Sequence, residues 1–136
     1  MIILVGLAII IYVVGGGART SSSKHDSSTV ARVPSGGDGW YHMRTIGLID
    51  MIVVHPKHEH DLSKYIEAIN AVCAVKVDFC KVMVWNDPHR VPVSMPMSAW
   101  EVKAMRANWT INKKTGARSE MFSCDIDPDR TKCFSH

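Results

Sequence analysis

Residues Thr45 to Val54 read TIGLIDMIVV, apolar on both parities apart from Asp50 and rich in β-branched side chains. Such a run suits a central strand covered on both faces, so the reading places one continuous strand here and builds a sheet around it. Downstream, Leu62, Tyr65, Ile66, Ile69, Val72 and Cys73 recur at helical offsets. They predict an amphipathic helix from about Asp61 to Ala74, with Glu59 and Asp61 at its electropositive start. Phe79 to Trp85 (FCKVMVW) is a second strand, closed by the turn residues Asn86-Asp87-Pro88.

Pro92 and Pro96 forbid helix between Val91 and Met97, which leaves an extended connector or edge piece. Ser98-Ala99-Trp100-Glu101 is a capping box, in which hydroxyl and carboxylate each satisfy an unpaired backbone N–H. A second helix is predicted from there, with Val102, Met105 and Trp109 as its buried stripe and Gly116 as its stop. Glu120 to Ile126 (EMFSCDI) alternates as a third strand at an edge. The order β-α-β-α-β predicts an α/β or α+β domain over residues 40–136, a small three- to four-stranded sheet carrying two helices. Its first crossover is right-handed if the strands are parallel neighbours.

Upstream, residues 19–39 are dominated by Ser and Gly, with Ser21 to Ser23, Gly36-Gly37 and Pro34. They read as a linker too poor in apolar bulk to offset its ordering entropy. Before it, Met1 to Ala18 carries no charged side chain. Ile2, Ile3, Leu4, Val5, Leu7, Ile9, Ile10, Ile11, Tyr12, Val13 and Val14 supply a lipid-facing surface. At about 1.5 Å per residue this run spans roughly 27 Å, near the thickness of a bilayer's hydrocarbon core, and predicts a single transmembrane helix. A cleaved signal peptide is the rival: Gly16-Gly17-Ala18 offers a cleavage site, but the positive start of such a signal is missing. Arg19, Lys24 and Arg32 follow the run and no cation precedes it, so the expectation is an inner-membrane protein with its domain on the cytoplasmic side.

The 136 residues are 46% hydrophobic and 21% charged, which excludes a disordered chain. Four cysteines are too few for a disulfide-framed miniprotein, and no repeat or collagen period is present. A net charge of +3, without a helix-turn-helix, zinc-finger or RNA-binding pattern, leaves no case for nucleic acid. No phosphate loop, nucleophile elbow or paired-carboxylate motif appears, so no small-molecule substrate is indicated.

Three features carry chemistry. His55, His58 and His60 stand with Glu59 and Asp61 at the end of the first strand, where zinc or copper would accept imidazole ligands. A solvated loop explains the same residues, and neither a Cys-x-x-Cys partner nor an HExxH helix supports a metal. Cys73 fits a helix stripe as a small buried hydrophobe. In an oxidising compartment, Cys73 and Cys80 could pair, as could Cys124 and Cys133, among the three connectivities four cysteines allow. Trp40 and Trp100 are candidate partner-binding residues, since a large rigid apolar face loses little entropy on docking, and Met95, Met97, Met105 and Met121 add soft apolar surface. Asn108-Trp109-Thr110 matches a glycosylation sequon by chance if it lies in a helix. Together these features predict a non-catalytic accessory or stabilising subunit of a larger integral-membrane complex, of energy-converting, transport or secretion type. Its partners are membrane subunits and the lipid bilayer; the alternative is a membrane-tethered metal-binding protein using the His loop.

Overall fold

Alternating β-branched strands and one strong amphipathic helix give, in the computed structural model, a sheet built entirely from sequential neighbours. The structure describes residues 32–135. The anchor expected over residues 1–18 and the linker as far as residue 31 lie outside the described residues. Among those described, no helix is long and apolar enough to cross a membrane.

The elements are β1 (Gly36–Gly37), β2 (Trp40–Ile46), β3 (Ile49–Val54), α1 (Leu62–Ala74), β4 (Phe79–Trp85), α2 (Ala99–Ala104), β5 (Ala107–Asn112), β6 (Arg118–Ser123) and β7 (Cys133–Phe134). They form one seven-stranded mixed sheet in the order β1-β2-β3-β4-β5-β6-β7. This corrects the expected small sheet of three or four strands: the domain is mostly sheet with two helices, and α2 has only six residues.

Two misread segments account for the difference. TIGLIDMIVV is a hairpin rather than one strand, because Gly47 takes φ +59° at the first position of a two-residue turn, where glycine alone is unstrained, and folds β3 back on β2. The expected helix to Gly116 stops at Met105, whose ψ of 135° is extended. Met105 packs on one face of the sheet and Trp109 on the other, so their helical spacing marked no stripe. Residues Ala107 to Asn112 form β5, and Gly116 (φ +73°) belongs to the β5–β6 turn. The third expected strand is displaced to β6. Folded structure also begins earlier than Trp40, since Gly36 and Gly37 pair with Tyr41 and Trp40.

The β3-α1-β4 crossover joins parallel neighbouring strands, with β3 only the second half of the run read as one strand. Tyr65, Ala68, Ile69 and Val72 of α1 bury against Ile52, Val54, Val82 and Val84 on one face. The other face is covered near the carboxyl ends of β3 and β4, where Val91, Met97, Ala104 and Met105 pack on Met51, Val53, Met83 and Trp85. Disulfides Cys73–Cys80 and Cys124–Cys133 tie the end of α1 to β4 and the end of β6 to β7. The last turn of α1 is closed by the Lys113 ammonium, 2.7 Å from the carbonyl of Cys73 and 2.5 Å from that of Lys76, a cation at the negative end of the helix.

Candidate functional site

The carboxyl ends of β3 and β4 hold the His loop. Here Val54 leads into a short 3₁₀ turn at Pro56–His58, and Asp61 caps α1 by accepting the backbone N–H and hydroxyl of Ser63. The three imidazoles diverge. His55 is exposed and tilts against Tyr41 with ring centroids 5.7 Å apart. His58 packs on Gly39, whose positive φ and missing Cβ admit the ring, and its Nδ1 lies 3.9 Å from Asp61. His60 turns away, with Nε2 3.3 Å from Glu59 and Nδ1 3.5 Å from Asp125. No group of three residues able to hold a metal ion occurs among the described residues.

A polar chain runs along the same end of the sheet and escaped the sequence reading, because its members are far apart in the chain. The Tyr65 hydroxyl donates to the Glu59 carbonyl, Asn86 donates to the Glu59 carboxylate, and Arg106 and the Ser123 hydroxyl both donate to Asp125. Burial raises the Tyr65 phenol, with Arg106 beside it pulling the other way. Burial also opposes both charges of the Arg106–Asp125 pair. The hydrogen bonds outweigh it, so Arg106 is held more firmly protonated and Asp125 below the usual carboxylate range. These bonds fasten α1, β4, β5 and β6 together, and no open nucleophile or oxyanion cradle stands among them.

At the opposite end, a bulge between His42 and Arg44 puts His42 and Thr45 beside Asp50, although strict alternation would separate them. Asp50 is fully buried, accepts from the Thr45 hydroxyl at 2.6 Å, and has His42 Nε2 at 3.2 Å. The Lys76 ammonium sits 2.6 Å from its other oxygen but off the hydrogen-bonding direction, so that contact is ionic. Thr45 and Asp50 both approach the same ring nitrogen of His42. A relay needs the carboxylate on the nitrogen opposite the hydroxyl, so the group neutralises a buried acid and is not a nucleophile triad.

The tryptophans separate clearly. Trp40 is 3% exposed and lies in the core under α1, so it offers nothing to a partner. Trp85 is buried and donates from Nε1 to the Glu101 carbonyl, which pins α2 to β4. Trp100 is 67% exposed, with the Arg90 guanidinium 5.6 Å from its ring centroid. Val93, Met95 and Val102 on the same segment are also exposed. The capping box forms as read, Ser98 and Glu101 bonding each other's backbone N–H, so Trp100 stands on a fixed turn. Asn108 of the sequon lies in β5, with its Oδ1 buried and unpartnered. The described residues include a hollow of about 360 Å³ beside the Cys124–Cys133 disulfide, lined by Arg130 and Ser135, and a groove of about 280 Å³ between α1 and β5 over Trp109 and Ile111. Neither gathers ionisable groups in reacting geometry. Comparison of the chain with protein-family models, with curated proteins and with solved structures finds no match.

Proposed function

We propose that the chain is a non-catalytic accessory subunit of a larger integral-membrane assembly, attached by the apolar run Met1 to Ala18 and docking a partner subunit through the surface around Trp100. One observation carries the docking reading: Trp100 is two-thirds exposed yet held on a capped turn under Arg90, with Val93, Met95 and Val102 exposed nearby in sequence. An ordered tryptophan left in water is the kind of residue that dominates binding energy at interfaces. The cysteines support a side of the membrane. All four of the chain are paired, which supports an oxidising side of the membrane and opposes the cytoplasmic placement expected from the flanking cations.

The test is purification from membranes in mild detergent through a tag after His136, with identification of stoichiometric partners. The reading expects a fixed set of membrane subunits with the native chain and their loss with Trp100→Ala, while the variant's unfolding midpoint stays unchanged. Elution of the native chain alone, or retention of the partners by Trp100→Ala, overturns it.

A further inference from the structure

The amino ends of β3 and β4 form a pole of the domain with its own chemistry. Ile49 pairs with Lys81 there, Ile46 closes β2 against Ile49, and Asn112 ends β5 opposite Phe79. The turns Gly47-Leu48, 75–78 and 113–117 therefore all emerge at this end. Leu48 and Val77 occupy two of these turns, 74% and 84% exposed, the most exposed large apolar side chains described. Strand register and these turns place Arg44, Lys76, Lys81, Lys113, Lys114 and Arg118 at the same end, with the Arg44 Nε buried and the Lys113 ammonium held on the carbonyls of Cys73 and Lys76. The answering carboxylates are Asp50, buried under Lys76, Asp78 against Lys114, and Glu120 against Arg118. The opposite end mixes both signs, with Glu59, Asp61, Asp87, Asp125, Asp127 and Asp129 among its cations.

The path of the entering chain adds a second, independent observation. Ser35 accepts from the backbone N–H of His42, Gly36 pairs with Tyr41 and Gly37 with Trp40, so residues 35–37 run antiparallel to β2. The chain thus enters the sheet from the basic pole's side.

We infer that this basic pole docks on the surface of an anionic bilayer, with Leu48 and Val77 entering the headgroup boundary and Lys81, Lys114 and Arg118 facing lipid phosphates. Apolar tips within a ring of cations combine burial with electrostatic attraction, each weak alone. The inference rests on membrane attachment in the function proposed above, and not on the Trp100 surface. It leaves that surface free, since α2 and its connector lie toward the carboxyl ends of β3 and β4.

The experiment is hydrogen exchange of the full chain incorporated into vesicles of phosphatidylcholine alone or of equimolar phosphatidylcholine and phosphatidylglycerol. Amides of residues 46–48, 75–78 and 113–117 should exchange on the order of tenfold more slowly in the anionic vesicles, and the difference should vanish at high salt. Lys81→Gln/Lys114→Gln/Arg118→Gln should abolish the lipid dependence and Leu48→Ser/Val77→Ser should reduce it, with β4 amides still protected as proof of folding. Equal exchange in both vesicles, persistence in the charge variant, or protection at residues 55–61 instead would overturn the inference. A chain that enters neither vesicle overturns membrane attachment as well. Loss of the Trp100 partner alone leaves the lipid result standing.

Discussion

Asp50 and Lys76 meet 2.6 Å apart across the boundary between β3 and the end of α1, the carboxylate fully buried and the ammonium side chain 26% exposed. The two partners therefore differ in what they leave behind. Lys76→Ala strands a buried anion with only Thr45 and His42 to stabilise it, whereas Asp50→Ala leaves a lysine that can swing into water. Lys76→Ala should cost about 3 kcal/mol and Asp50→Ala nearer 2 kcal/mol in urea unfolding. The reverse order would show that the pair is not the stabilising unit.

Trp85 and Trp100 are separated by fifteen positions and by opposite environments. Trp85→Phe removes a buried indole N–H and leaves the Glu101 carbonyl without its donor, so it should cost about 1–3 kcal/mol. Trp100→Ala should stay within about 0.5 kcal/mol, because its ring is mostly in solvent. Equal costs would place Trp100 in the core.

Single elements of this arrangement were legible in the sequence, the seven-stranded sheet was not, and the failures have physical causes. The α1 stripe, the strand at Phe79 to Trp85 and the capping box at Ser98 each rest on local signals that tertiary contacts reinforce. The hairpin inside TIGLIDMIVV went unread because Thr45 and Ile46 before Gly47 and Leu48 and Ile49 after it continue a strand-like run, so only that glycine marks the turn. The β5 strand was hidden by coincidence: Val102, Met105 and Trp109 keep helical spacing although a change of backbone at Met105 sends them to different faces. Of the candidate residues, Trp100 is exposed as a docking residue must be, Trp40 is core, and the three histidines diverge. The Asp50 group was invisible because a bulge, which has no simple sequence signature, sets its geometry.

Each disulfide closes a short loop, seven residues apart for Cys73–Cys80 and nine for Cys124–Cys133. Loop-closure entropy gives about 2.5 kcal/mol apiece. Native protein should show no titratable thiol, and adding reductant should lower the unfolding midpoint. Free thiols in native protein would remove the argument for an oxidising compartment.

The pH dependence has opposite signs at the two extremes. Asp125 and Glu101 are depressed, Glu101 by the bonds from Ser98 and Asp125 by those from Ser123 and Arg106 against its burial. Their stabilising share is complete above the ordinary carboxylate range and is lost as pH falls through and below it. Asp125→Asn should be less stable at neutral pH and lose less on acidification. Tyr65 is raised by burial, so its share is complete below the ordinary tyrosine range and falls as pH rises through it. Tyr65→Phe should flatten the alkaline limb of the stability curve.

The two-residue strand β7 pairs with Phe122 and Ser123, its Phe134 carbonyl accepts from the Cys124 N–H, and Cys124–Cys133 is the covalent tie that holds it there. Produced where thiols stay reduced, the chain would lose this cover, and the part of the β6 rim that β7 does not pair, Arg118 to Met121, would lengthen to include Phe122 and Ser123. Such a rim is a template for strand addition between copies. The bridge is thus a guard against self-association as much as a source of stability, and recombinant protein made in a reducing host should precipitate through that rim while oxidised protein stays dispersed.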